Sequence, residues 1–214
     1  AEAGWNYETG LRLQSANRRF NLDGTLFHFN LRDAIVRRLN TNDVEYFINA
    51  GGTKQLGTEV QLSAWLIEPQ NSHFLNGIQL RNSYTYSHFR FDNFQNGIQN
   101  YSGNKLTGVP TQNIVSSLLF NFSKSIYLFA QHNYTSVIPL NDANTSFANS
   151  YHLLDLKAGV KRLKLGTANL GISFGINNLF NQRYSLGNDL NAANNRYFNP
   201  AAGINFDFGI TVSF

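Results

Sequence analysis

The chain has 214 residues, is 42% hydrophobic and 14% charged, and carries a formal net charge of +4. It holds no cysteine, which excludes a disulfide framework, a thiol nucleophile and a cysteine-based zinc site. No apolar run approaches the ~20 residues of a membrane helix, and the basic residues are scattered rather than gathered into the patch that nucleic-acid binding needs.

The predicted elements are all strands. Trp5, Tyr7, Leu11 and Leu13 alternate with Glu8, Gly10, Arg12 and Gln14, which predicts a strand over 4–14. A second is predicted over 21–36, but residues 22–31 mix polar and apolar types and their faces stay unassigned. Val60, Leu62, Ala64 and Leu66 follow Gly57 and Glu59 in a strand over 53–67. Ile78, Leu80, Tyr84 and Tyr86 alternate with Gln79, Arg81, Ser83 and Thr85 over 77–91. Strands over 109–122 and 125–137 follow, the latter with unassigned faces from 126 to 134. Leu154, Leu156, Ala158 and Val160 alternate with Asp155, Lys157, Gly159 and Lys161 over 151–162. Leu170, Ile172, Phe174 and Ile176 alternate with Gly171, Ser173, Gly175 and Asn177 over 168–179. The last strand, 204–214, sets Ile204, Phe206, Phe208, Ile210, Val212 and Phe214 against Asn205, Asp207, Gly209, Thr211 and Ser213.

A single alternating window arises by chance on the order of 0.1 times per chain of this length, so the repetition carries the argument. Strands of about eleven residues, tilted by roughly 45°, cross a hydrocarbon core. The mean hydropathy of −0.30 fits a membrane β-barrel, whose wet residues are interleaved with its apolar ones. Connections alternate between short (15–19, 123–124, 163–166) and long (38–52, 92–108, 138–150, 180–203), with 68–76 intermediate. That is the up-and-down pattern of an outer-membrane barrel, with long loops outside the cell and short turns in the periplasm. The fold expected is therefore an all-β, antiparallel, up-and-down transmembrane β-barrel segment of about nine strands. Nine is odd, whereas single-chain bacterial barrels have even counts. An open sheet would leave two unpaired edges, so a share in a larger barrel is expected. The chain has no methionine and no signal-peptide pattern at its start, so a processed product or a piece of a longer protein is expected.

Several segments resemble the TonB-dependent outer-membrane receptors. Glu2-Ala-Gly-Trp5-Asn-Tyr7-Glu8-Thr-Gly10 is similar to the family's N-Y-E-x-G strand. Asn49-Ala-Gly51 with Gly57-Thr-Glu59 resembles its N-x-G…G-x-E strand, and Leu106-Thr-Gly108-Val-Pro110 its L-x-G-x-P segment. Asn177-Asn178-Leu179-Phe180-Asn181-Gln-Arg183-Tyr184 resembles N-N-L-F-N-x-x-Y, and Arg196-Tyr197-Phe198-Asn199-Pro200 and the terminal Phe214 complete the pattern. Family members form 22-stranded barrels with a plugged lumen. The resemblance implies that residues 1–214 are the C-terminal portion of such a barrel, with the plug domain absent. It implies a parent that binds and imports a ferric siderophore or a similar scarce ligand with TonB-coupled energy. Its partners would be outer-membrane lipid and lipopolysaccharide, the missing N-terminal strands and plug of the same protein, and TonB through that plug. The location implied is the bacterial outer membrane. Glycan-importing relatives carry a longer acidic-proline variant after N-L-F, which Phe180-Asn181-Gln182-Arg183 lacks, so iron chelates are favoured.

Catalysis is not expected. Gly171-Ile-Ser173-Phe-Gly175 matches a nucleophile pattern, but the mechanism needs a strand-to-helix elbow and this match lies inside an alternating strand. The carboxylates Asp142, Asp155, Asp189 and Asp207 show no acid–base spacing. His28, His73, His88, His132 and His152 form no pair at metal-ligand spacing. No covalently bound cofactor is expected. The candidate ligand contacts are Arg37, Arg90, Tyr101, Arg183, Arg196 and Tyr197, on or beside the long loops, where cations and aromatic rings hold an anionic chelate by charge and stacking. Solvated loop residues, or contacts to lipopolysaccharide, are the other readings of these positions. A self-contained passive pore or adhesin barrel, an outer-membrane hydrolase and a soluble β-sandwich are the competing readings of the whole.

Overall fold

A computed structural model describes every residue except 1, 41, 43, 50, 70–73 and 97, and leaves the side chains of 36–39 and 49 undescribed. His73 thus lies outside the described residues. In chain order the strands are β1 (Ala3–Gln14), β2 (Phe20–Arg32), β3 (Ile35–Leu39), β4 (Glu45–Asn49), β5 (Gly52–Ile67) and β6 (Leu75–Asp92). Then come β7 (Gln95–Asn96), β8 (Gln99–Asn100), β9 (Gln112–Phe122), β10 (Ile126–Thr135), β11 (Ile138–Pro139) and β12 (Phe147–Ala148). The last are β13 (Tyr151–Leu165), β14 (Ala168–Asn177), β15 (Ser185–Asn188), β16 (Phe198–Pro200) and β17 (Asn205–Ser213).

Nine of these form one antiparallel sheet in the order β1-β2-β5-β6-β9-β10-β13-β14-β17, the up-and-down arrangement and strand number expected from the alternation. The other eight pair as four two-stranded ribbons, one in each long connection. The ends of the long strands differ from expectation where the backbone turns left-handed. β2 stops at Arg32 rather than at 36 because Asp33 takes a φ of 59°. β13 runs on to Leu165, across a register shift between Val160 and Leu163, and Gly166 at φ 60° makes the tight turn into β14.

The register assigns every face. One row crosses eight strands as Phe20, Ala64, Leu80, Leu118, Ala130, Leu156, Ile176 and Phe206, all apolar. Because successive side chains point to opposite faces, the neighbouring row belongs to the other side. It reads Gln14, Asn21, Ser63, Arg81, Ser117, Gln131 and Asp155, all polar. The two blurred segments resolve in the same way. Leu22, Gly24, Leu26, His28 and Asn30 share the apolar face, as do Ile126, Leu128, Ala130, His132 and Tyr134. They read poorly because Phe27, Phe29 and Phe129 stand on the polar face, where Phe27 and Phe89 meet edge to face at 6.0 Å. Gly57 lies beneath the Phe27 ring, and a Cβ there would collide with it.

The apolar face is uncovered. Phe206 is 63% exposed, Phe208 65% and Trp5 70%. The long strands contact their ladder neighbours and no second sheet among the described residues. A β-sandwich buries one face of each sheet against the other, so the sandwich reading fails. The buried hydrophobic clusters lie elsewhere, in the long connections.

The polar face forms a trough of about 640 Å³ lined by Asp23, Gln61, Arg81, Ser117 and Gln131 among others. Two ion pairs bridge strands on this face. Arg12 donates to Asp23, and Lys157 Nζ lies 3.1 Å from Asp207. The Asp207 carboxylate also accepts from Asn177 Nδ2 at 3.2 Å. Arg12 and Asp23 stand opposite each other on neighbouring strands, where such a pair stabilises the sheet by about 0.2–1 kcal/mol, whereas Lys157 reaches Asp207 across Gly175 of the intervening β14.

The face assignment is testable by swapping one charge across it. Ala130→Arg, on the apolar face, should destabilise the full-length protein in lipid by about 2–4 kcal/mol. The adjacent Gln131→Arg, on the trough side, should cost under about 1 kcal/mol because the trough is polar. Denaturant titration of the lipid-inserted protein reads the difference, and equal losses would invalidate the assignment.

Candidate functional site

The long connections gather at one end of the sheet and hold one another. Asp142, 4% exposed, is the hub. Its carboxylate accepts from the Thr107 hydroxyl and from Asn191 Nδ2 at 3.2 Å, and its backbone N–H donates to Asn191 Oδ1 at 3.0 Å. Asn104 Nδ2 donates to the Asp142 carbonyl at 2.8 Å. Around the hub, Lys105 N–H donates to Asn144 Oδ1 and Asn144 Nδ2 returns a bond to the Lys105 carbonyl, at 2.7 and 3.0 Å. Gly108 N–H reaches Pro139 O at 2.8 Å and Asn191 N–H reaches Leu140 O at 2.9 Å. Three successive loops are thereby tied into one body. Ile138, Leu140, Ala148 and Tyr197 pack beneath the tie, and Phe91, Phe94, Tyr101 and Leu106 fill a second small core.

The Asn177–Asn181 turn then aims one cavity. Asn178 and Asn181 adopt φ of 51° and 48°, which asparagine tolerates better than most residues. Asn178 is 3% exposed and is fully engaged. Its N–H donates to Asp155 Oδ1 at 2.8 Å, its Nδ2 to Gln182 O at 2.9 Å, and its Oδ1 accepts from Gln182 N–H at 2.8 Å. This turn delivers Arg183 and Tyr184 above the polar face, where the Tyr184 and Tyr151 rings meet at 5.0 Å. Tyr151 belongs to the same face of β13 as Asp155 and Lys157. The cavity they border is about 630 Å³, with Phe147, Phe198, Asn188 and Gln182 in its walls. Asn188 Oδ1 is buried and has no donor among the described residues. A buried unpaired acceptor costs about 1–3 kcal/mol. It is a group to which a ligand N–H or O–H can bond.

The six sequence-derived contacts separate in space. Arg183 is exposed and borders the cavity. Tyr197 is buried in the loop core, with its ring edge-on to Phe198. Arg196 is exposed beside it. Tyr101 packs on Phe94 and donates its hydroxyl to Gln99. Arg90 lies on the apolar face, on the row of Lys54. Arg37 is in β3, and its side chain lies outside the described set. Sequence reading missed Asp142 and Asn188, whose roles come from partners on other loops. It missed one histidine pair too. His132 and His152, 20 residues apart, meet on the apolar face with ring nitrogens 3.0 Å apart. Among the described residues no group of three metal-ligating side chains forms. Ser173 sits in an unbroken strand between Gly159 and Gly209, without an elbow.

The family model for the TonB dependent receptor-like β-barrel matches residues 1–179. The chain belongs to that family. Solved structures repeat its fold over nearly its whole length. They include the ferric yersiniabactin uptake receptor FyuA of Yersinia pestis (TM-score 0.73, 20% identity, 99% of this chain and 29% of that one). The ferric preacinetobactin receptor BauA of Acinetobacter baumannii gives a TM-score of 0.75 at 17% identity, over 99% of this chain and 29% of that one. The siderophore receptor PiuA of the same organism gives 0.71 at 20%, over 98% and 28%. The chain thus spans less than a third of the receptors it matches, and at these identities the likeness is one of fold.

The loop tie makes its own forecast. Asp142→Ala leaves Thr107 and Asn191 without their acceptor, at about 1–3 kcal/mol for each unpaired group. Hydrogen exchange should quicken together at the Lys105, Gly108 and Asn191 amides while the sheet stays protected. Unchanged exchange at all three would show that the loops are held by something else.

Proposed function

We propose that residues 1–214 form the C-terminal portion of the barrel of an outer-membrane receptor that binds and imports a ferric siderophore or a similar scarce ligand. In this reading the strands preceding β1, the plug and TonB, acting through the plug, complete the importer. Lipid and lipopolysaccharide surround the apolar face. The chelate is cargo, and no resident cofactor or catalytic step is invoked.

The observation that carries the reading is the cavity at the long-loop end of the polar face. It joins a free-standing cation at Arg183, aromatic walls and the unpaired Asn188 oxygen. A planar guanidinium suits a carboxylate or phenolate oxygen of a chelate. Tyr184, Tyr151 and Phe198 supply flat apolar surface, and the volume lies within the roughly 300–1,000 Å³ of small-molecule sites. The alternative, a self-contained passive pore or adhesin, needs a closed sheet of even strand number. Each of β1 and β17 has one strand neighbour in the sheet, which favours membership of a larger barrel.

The test is ligand binding by the full-length protein carrying this segment. Titration with a panel of ferric catecholate, hydroxamate and phenolate siderophores should find one that binds. Arg183→Ala should weaken it about tenfold or more, the size of one lost charge-assisted hydrogen bond. Uptake of radiolabelled iron should require TonB. Binding that is blind to Arg183, or ion conductance without TonB, would instead favour the passive barrel.

A further inference from the structure

Positive charge without a matching acid collects at the short-turn end of the sheet. Lys124 stands in the turn Ser123–Ser125 between β9 and β10, at a φ of 58°, and that turn packs against β13. Lys161, Arg162 and Lys164 occupy the end of β13 beside it. Residues 121–127, 158–174 and 208–214 contain no aspartate or glutamate, so these cations of two adjacent turns meet no acid in the strands around them. Among the other short connections, Arg18 and Arg19 add to the charge, and Glu68 is the one carboxylate.

A β-bulge aims them. Val160 opposes Ile172 and Leu163 opposes Leu170, so Lys161 and Arg162 together oppose Gly171 alone. Strict alternation would send two consecutive residues to opposite faces, whereas the bulge turns both to the trough side. Lys161 Nζ donates to Asn121 Oδ1 at 2.7 Å and lies 5.5 Å from the Tyr127 ring centroid. Arg162 Nε donates to Asn169 Oδ1 at 2.6 Å. Asn121 and Asn169 both face the trough, and Lys164 stands opposite Asn169 on that face. Neutral amide oxygens thus hold the cations in place without cancelling their charge. Among the described residues, no carboxylate pairs with any of the four. Asp207, further along the trough, is engaged by Lys157 and Asn177.

Exposure and direction select the partner. All four side chains are exposed, and an exposed ion pair contributes little by itself and is weakened by salt. A small anion would be held poorly there. A polymer that repeats an anionic group engages several cations at once and gains by effective concentration. Lipid headgroups would gather around the apolar face, whereas the bulge presents Lys161 and Arg162 on the opposite one. The guanidinium N–H groups of Arg162 that Asn169 leaves unused match the two oxygens of a carboxylate. Short turns of an outer-membrane barrel face the periplasm, and the polymer on that side is the cell wall, whose peptides carry free carboxylates.

We propose that the short-turn rim at Lys124, Lys161, Arg162 and Lys164 docks a carboxylate-rich polymer, the peptidoglycan of the periplasm. The inference rests on the outer-membrane reading above and concerns the end of the sheet opposite the cargo cavity. Full-length protein in detergent, mixed with insoluble peptidoglycan sacculi and sedimented, provides the test. Wild-type protein should pellet saturably at low salt and be released at about 0.5 M salt. The Lys124→Gln/Lys161→Gln/Arg162→Gln/Lys164→Gln variant should bind about tenfold more weakly. Lys124→Gln/Lys164→Gln removes no side-chain hydrogen bond among the described residues, so it leaves the bulge intact. It should lose about half as much on a logarithmic scale. Lys105→Gln, at the long-loop end, should pellet like the wild type, and sacculi with amidated carboxyl groups should not bind. Pelleting indifferent to the four cations, or to the carboxyl groups, would overturn the proposal. So would variant-dependent binding to phosphatidylglycerol vesicles with none to sacculi, which would mark a lipid surface. Orientation is read separately, with a maleimide too bulky for porins added to intact cells carrying Lys124→Cys. Protection is expected, and labelling would remove the membrane orientation itself and this proposal with it.

Discussion

Everything in this molecule depends on a ladder in which each long strand bonds to the next and each residue alternates sides. In hydrocarbon, a backbone N–H or C=O must find its partner within the protein. Consecutive antiparallel strands meet that demand over their interior, and the short connections waste no chain between them. The same ladder fixes chemistry, because a register slip of one residue exchanges the two faces. Such a slip would place Arg81, Gln131 and Asp155 where Leu80, Ala130 and Leu156 now form the apolar face. The all-apolar row from Phe20 to Phe206 and the all-polar row beside it therefore constrain the pairing of every strand they cross.

That alternation made the nine long strands and their order legible in the sequence. It failed where residue type did not declare the face. Phe27, Phe29 and Phe129 face a polar trough that tolerates aromatic rings, whereas Asn82, Ser116 and His132 interrupt the lipid face. Asn82 donates to Ser116 at 2.6 Å, so the polar atoms of that interruption satisfy each other. Pairing of this kind is invisible until the register is known. The ribbons within the long loops were illegible for a simpler reason: a strand of two to five residues has no period to read. Loop aromatics were ambiguous in turn. Tyr101 and Tyr197 sit in Asn- and Gly-rich segments, where a ring serves a ligand or a small loop core equally well by sequence. The structure engages both in loop packing, while Arg183 and Asn188 border the cavity. Asp142 gave no sequence signal because its three side-chain partners come from residues 35 to 49 positions away.

The open edges of the sheet have a composition of their own. β1 exposes Trp5, Tyr7, Leu11 and Leu13 on one side and leaves one backbone edge unpaired. β17 does the same with four consecutive outward apolar residues. Free-standing sheets blunt such edges with charges, proline or bulges. Neither strand contains proline, and their charges, Glu8 and Arg12 in β1 and Asp207 in β17, all lie on the trough side. β17 continues the alternation of the interior strands without a break, and β1 does so except at Thr9. Each edge therefore presents unpaired backbone groups beside an exposed apolar row, the arrangement that pairing with another strand would satisfy.

The same logic separates two sets of cations that look alike in the sequence. Arg183 and Arg90 are both arginines beside long loops, each near a tyrosine and a histidine-free or histidine-bearing stretch of strand. Parity divides them. Arg183 follows a turn that carries it over the polar face of Tyr151, Asp155 and Lys157. Arg90 shares its face with Tyr86, Tyr84 and Leu80, so its surroundings grade from charged through aromatic to aliphatic within a few residues. The sheet lies between them. The backbone ladder itself thus sets two identical side chains in different surroundings, without any difference in residue type.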